Sequence, residues 1–248
     1  MKYIESLGLP LGLLLVWCVA SFVDIIDPLF LPSPLAVFDS LIKGLRSGQV
    51  THDLEATVLR SLVGFVLSAL IGIPLGLLIG RVQSLANATQ PTIDFFRSIP
   101  ATALFPLFLF LFGLGDTAKV AIVVYACSLI VLVNTAYGAR QVKASRILSA
   151  KVMGASRWDV FWKIIIPESS AGIFAGLRVA LSLSFVLIIV TEMFIGTTVG
   201  LGYQIMDAQQ VYRIPDMYAG IILAGTIGYV ANWSLLKLEA KVLHWVGL

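Results

Sequence analysis

Few side chains in this sequence have the type and spacing to do chemistry, and most of them sit in very apolar surroundings. Within Ala171–Ile195, Arg178, Ser182, Phe185, Ile189 and Glu192 share one face of a helix with a 3.6-residue period. Arg178 and Glu192 lie about 21 Å apart at the rise of an α-helix, too far to pair with each other. Ionisable groups in lipid face protein or water. This face therefore lines a solute path, or Arg178 snorkels to one surface while Glu192 braces the opposite end. Tyr125, Asn134 and Thr135, with Tyr229 and Asn232 further on, either join that path or tie helices together by hydrogen bonds.

Other chemistries find no support. His52 and His244 fall at opposite ends of the topology derived below and cannot share a metal. Cys18 and Cys127 lie inside apolar runs, where cysteine behaves as a small hydrophobe. The chain has no Gly-x-x-x-x-Gly-Lys-Ser/Thr phosphate loop, no Gly-x-Ser-x-Gly turn and no His-Glu-x-x-His pair. The expectation is no catalytic residue, no cofactor or metal bound by this chain, and no nucleic-acid partner.

The elements that must position these residues are set by composition. Of 248 residues, 58% are hydrophobic and 12% charged, about half the charge of a soluble domain. The mean hydropathy is +0.95. The expected fold is all-α and polytopic, with six transmembrane helices at Leu9–Ile26, Thr57–Gly80, Thr102–Gly115, Lys119–Tyr137, Ala171–Ile195 and Met217–Leu236. The third is short, with Pro100 and Pro106 near its start, and is expected to bend there. Leu9–Ala20 is read as a retained first helix, since Trp17 and Phe22 crowd any cleavage site.

Six spans put both termini on one side, and the positive-inside rule makes that side cytoplasmic. The inner segments then carry Lys2, Arg81, Arg97, Arg140, Lys143, Arg146, Lys151, Arg157, Lys163, Lys237 and Lys241; the outer ones hold Lys43, Arg46, Arg60, Lys119 and Arg213. Residues 1–56 form the first helix plus an external amphipathic segment, Leu35–Leu45, entered through the rigid turn Leu31-Pro32-Ser33-Pro34. Residues 57–236 form a five-helix core that includes a cytoplasmic loop at 138–168, and 237–248 form a cytoplasmic tail. Gly72, Gly76 and Gly80, and again Gly220, Ala224 and Gly228, are spaced for close helix packing, within the chain or between chains.

The loop stands apart. Gly138–Glu168 holds six basic residues, with a helical pattern on both sides of Gly154. Val142, Ile147, Leu148, Val152 and Met153 form an apolar stripe before the glycine; Trp158, Phe161, Trp162 and Ile165 form one after it, up to Pro167. Gly154 suits a left-handed helix end, and Ser156 with Asp159 suits the next N-cap. Residue physics is equally compatible with insertion into a groove on a protein and with lying flat on anionic lipid.

The spacing Leu148-Ser149-Ala150-(three residues)-Gly154, followed by Ile166-Pro167, resembles the cytoplasmic Glu-Ala-Ala loop of ABC importer permeases. Nearly the whole chain is similar to the nitrate/sulfonate/taurine-type branch. The similarity runs through Leu31–Pro34, Arg97–Lys119, Gly154–Trp158, Gly176–Arg178, Glu192–Phe194 and Gly200–Tyr203. The family Glu falls on Leu148 and its first Ala on Ser149. The resemblance implies a type I permease fold in the bacterial inner membrane. It implies a path formed with a second permease copy, two ATPase subunits holding ATP and Mg, an external binding protein, and a small anion, or a heterocyclic vitamin precursor, as solute. It places ATPase coupling on Leu148, Ser149, Ala150, Val152, Met153, Gly154, Ala155 and Pro167. The rival classes are a stand-alone secondary transporter or channel and a lipid-embedded enzyme.

Overall fold

The computed structural model describes residues 2–23, 26–196 and 198–242, with side chains from Gly8 onward. His244 and the end of the expected tail lie outside the described residues, as do Asp24 and Ile25 of the first expected span. In chain order the helices are α1 (Lys2–Phe22), α2 (Pro34–Ser47), α3 (Gln49–Arg81), α4 (Gln83–Ser98), α5 (Phe105–Phe112), α6 (Asp116–Arg140), α7 (Ala144–Val152), α8 (Arg157–Val160), α9 (Ile166–Phe194), α10 (Leu201–Gln210) and α11 (Ile214–Val242).

Four runs are long and apolar enough to cross a membrane: α3, α6, Arg157–Phe194 and α11. One further pair is apolar enough only when taken together: Gln83–Ser98 and Ala101–Phe112 meet at 83°, as a broken span or a re-entrant loop does. The expected third span, Thr102–Gly115, is thus only the second limb of this pair. The first limb, α4, escapes a hydropathy reading because Gln83, Asn87, Gln90, Asp94 and Arg97 make it polar. Proline ends it, since the residue before Pro100 is driven out of the helical region; Ile99 is extended at φ −80°, ψ 119°. The first expected span corresponds to α1, whose apolar part is Gly8–Phe22. Residues 237–242, expected in a free tail, continue α11.

Helices α3, α6 and α9 pack on one another and form the centre. Lipid tails give apolar helices no solvophobic reason to associate, so close van der Waals packing must supply the attraction. Gly72, Gly76 and Gly80 of α3 supply it within the chain. A Cβ at Gly76 would lie 2.6 Å from the Leu132 carbonyl oxygen, and one at Gly80 2.5 Å from that of Ala136. The second stripe is divided: Gly220 packs on Ile205, whereas Gly228 has no atom within 4 Å. Gly76→Leu is therefore expected to pry α3 from α6, costing about 3 kcal/mol, the upper end for overpacking. The check is thermal unfolding in detergent, with Gly225→Leu, where nothing lies within 4 Å, expected to leave the midpoint unchanged.

The amphipathic segment expected at Leu35–Leu45 forms a helix, α2. Ser33 Oγ accepts from the Ala36 N–H at 3.2 Å and starts α2, whose Val37 is buried. Helix α2 lies against α11, and the Ser40 hydroxyl donates to Asp216.

Candidate functional site

The helix–Gly–helix loop is built by local sequence. Helix α7 ends at Gly154, which takes φ +84°. The Gly154 N–H donates to the Lys151 carbonyl at 3.0 Å and the Ala155 N–H to that of Ala150 at 3.0 Å, closing the helix end. Ser156 and Asp159 then form a reciprocal capping box at the start of α8. A π-turn, Phe161–Ile165, joins α8 to α9. Pro167 accounts for it: the proline ring would crowd the carbonyl of Lys163 in a regular helix, and the wider turn relieves this. The loop is thereby fixed to a continuous helix that runs on to Phe194. Arg146 pairs with Glu168 at 2.7 Å and ties α7 to the base of α9.

On this rigid mount the residues to which the resemblance assigns coupling divide by burial. Ala150 is buried and Ala155 and Pro167 half-buried, while Ser149 and Gly154 are exposed. Leu148, Val152 and Met153 are 64%, 80% and 80% exposed, and Trp158 and Trp162 are exposed beside them. Exposed Lys143, Arg146 and Lys151 rim the patch. A contiguous apolar patch with a polar rim marks an interaction surface.

The far end of the bundle holds a constellation that no local pattern announced. The Glu192 side chain is fully buried. Its Oε1 accepts from Arg60 Nη1 at 2.7 Å; its Oε2 accepts from the Thr57 hydroxyl at 2.8 Å and the Gly202 N–H at 3.1 Å. Arg60 also donates to the Val199 carbonyl at 2.8 Å and pairs through Nε with Asp116 at 2.8 Å. Lys119, itself buried, reaches Asp116 at 3.3 Å. The Leu201 N–H donates to Thr57 Oγ1 at 2.9 Å and the Gly200 N–H to Asp53 at 2.8 Å. Three successive amides at the start of α10 are thus capped by side chains from α3 and α9. These are the donors that a helix leaves unpaired, and they carry its positive end. A Cβ on Gly200 would collide with the Glu192 carboxyl group, so glycine is required there. Arg60 and Lys119, counted above with the outer charges, lie within helices as the expected spans have them, Lys119 buried and Arg60 half-buried. The spacing Asp53, Thr57, Arg60 does put three polar groups on one face of an apolar helix. Their partner 132 residues away is a product of folding.

The expected path residues are dispersed. Arg178 is partnered by Glu239 of α11, with its side chain 41% exposed. Asn134 donates to the Ile130 carbonyl of its own helix at 2.9 Å, at the crossing where Gly172 and Gly176 approach it. Ser182 is exposed on α9. Tyr125 donates to the Phe96 carbonyl at 2.8 Å and lines a cavity of about 390 Å³ beside the break between α4 and α5.

Comparison with known proteins agrees with this architecture. The sequence model of the binding-protein-dependent transport system inner membrane component family matches residues 72–244. The chain is 29% identical to the taurine transport system permease protein TauC of Escherichia coli K12, over 98% of this chain and 90% of that one. It is 32% identical to the putative aliphatic sulfonates transport permease protein SsuC of the same organism, over 96% and 90%. Among solved structures, an inward-facing MetNI methionine ABC transporter superposes with TM-score 0.68 at 16% identity, covering 78% of this chain and 96% of that one. The chain, a bundle of apolar helices carrying a capped loop, belongs to the binding-protein-dependent transport system inner membrane component family, the permease subunits of ABC importers.

Proposed function

We propose that this permease pairs with a second copy of itself and moves a small anion of the nitrate, sulfonate, taurine or bicarbonate class into the cell. ATP and Mg are held by two separate ATPase subunits, and an extracytoplasmic binding protein supplies the solute. The chain itself performs no catalysis and carries no cofactor. The positive charge clustered at the α7–α8 end supports a reading in which that loop and both termini lie in the cytoplasm of a bacterial inner membrane. The solute class is supported by the relatives' names, taurine and aliphatic sulfonates.

One observation carries the coupling role: an apolar patch lies exposed on a rigid helix–Gly–helix unit that is continuous with a membrane-spanning helix. A groove on the ATPase that closes on ATP binding would move this unit, and α9 with it. The path would then switch between inward-facing and outward-facing states, as a two-state element biased by a ligand must. The test is reconstitution. Uptake of taurine into vesicles is expected to require ATP and the ATPase chain, and Gly154→Leu, strained at φ +84°, is expected to lose both ATPase co-purification and uptake. Uptake by the permease alone on an ion gradient would instead establish a secondary transporter.

A further inference from the structure

Arg97 was counted above with the cytoplasmic charges, yet the fold carries it well into the bundle. Helix α6 runs about 36 Å from Asp116 to Arg140 at 1.5 Å per residue, so its residues serve as a depth scale. At the start of α4, Ala86 packs with Leu132 and Ala136, near the loop end. At its close, the Phe96 carbonyl accepts from Tyr125, about 22 Å from Arg140 on that scale. Helix α4 therefore climbs from the loop end to the middle of the bundle, and Arg97 follows one residue later.

Two cavities meet at this side chain. The deeper, of about 390 Å³, is walled by Leu129 and Ile130 of α6 and Leu183 and Leu187 of α9, with Tyr125 and Thr102 at its polar edge. The other, of about 150 Å³, opens toward Arg140. The Arg97 side chain is 46% exposed, and among the described residues its ion-pair partner is Asp94, at 3.8 Å. A guanidinium this deep in lipid is costly unless it meets water or an anion. Irregular backbone at a broken span is likewise tolerated only where it is buried in protein or lines an aqueous cavity. The exposed polar run Gln83, Asn87, Asp94, Arg97 and Ser98 places that water beside α4.

We infer that the cavity at the break between α4 and α5 is a transit site for the anionic group of the solute. Arg97 binds the oxyanion, and the aliphatic wall together with the Tyr125 ring receives the organic remainder. The inference rests on the small-anion reading above and deepens it. A guanidinium fork matches the geometry of a sulfonate or carboxylate, and Asp94 is the internal anion that the solute displaces.

The experiment uses the complete complex of permease, ATPase and binding protein in vesicles, with radiolabelled taurine and ethanesulfonate as probes. Arg97→Gln is expected to lower uptake of both by about tenfold or more, the size of one lost charge-assisted contact. ATP hydrolysis stimulated by the binding protein is expected to stay within about twofold. Arg97→Lys is expected to keep part of the uptake. Asp94→Asn separates binding from architecture: it is expected to hold or tighten the apparent KM, whereas a merely structural ion pair would make it fail as Arg97→Gln does. Wild-type uptake of both sulfonates by Arg97→Gln, or loss of assembly in both Asp94→Asn and Arg97→Lys, overturns the inference. If wild-type vesicles move neither sulfonate, the sulfonate and taurine members of the solute class fall and nitrate and bicarbonate remain. The site is then judged by titrating inorganic sulfate into the solubilised complex: binding lost in Arg97→Gln upholds it, and equal binding, or none in either, overturns it.

Discussion

Glu192→Ala is expected to yield a permease that inserts but does not hold its fold at the end of the bundle opposite the coupling loop. The carboxylate is enclosed and accepts three hydrogen bonds, one of them from Arg60 at 2.7 Å. Removing it leaves Arg60 and the buried Lys119 to share Asp116, with one buried positive charge uncompensated. Breaking a buried ion pair from one side costs about 3–5 kcal/mol, and the Gly202 N–H loses its acceptor as well, while the Thr57 hydroxyl keeps only the Asp53 carbonyl at 3.0 Å. The expected readout is a much lower thermal midpoint in detergent and a small monodisperse fraction on size exclusion. Glu192→Gln, which keeps the shape and two of the neutral contacts, is expected to fall between the two. Replacing Glu192 and Arg60 together by methionine is expected to recover part of the loss, because the orphaned charge goes with its partner. A Glu192→Ala protein that unfolds at the wild-type temperature would show that the network contributes nothing.

The second large effect lies at the other end and has the opposite character. Changing Leu148, Val152 and Met153 together to Asp is expected to abolish ATPase association while the permease still folds. All three side chains are mostly exposed, so their loss removes little from the folded state. Apolar anchors at the centre of an interface are commonly worth 1–3 kcal/mol each when truncated; three together amount to more than about a hundredfold in affinity. The checks are ATPase co-purification and the melting temperature of the permease alone. Leu148 stands where the resembled family has Glu, so the proposed docking rests on packing at this position. Leu148→Glu is accordingly expected to weaken the complex, and a stronger complex would show that a polar contact is available in the partner.

What the sequence determined by itself is what neighbouring residues determine. Four apolar runs are long enough to cross because hydropathy is a sum over adjacent side chains. The helix–Gly–helix unit was legible for the same reason: Gly154 ends one helix and Ser156 with Asp159 begins the next through bonds that span only a few residues. Tertiary structure alone decided the rest. Arg178 and Glu192 share a helix face, and the fold gives them unrelated partners, Glu239 and Arg60. A charge in lipid requires an opposite charge, and no periodicity says which distant one it receives. The stripe on α3 proved to be an intrachain seam because the groove that fits it lies on α6. Helix α4 escaped the hydropathy reading because it is polar, and its place is set by neighbours distant in sequence, Ala86 against Leu132 and Ala136 and the Phe96 carbonyl on Tyr125. That environment is made by the assembled bundle, and Arg97 acquires its place only there.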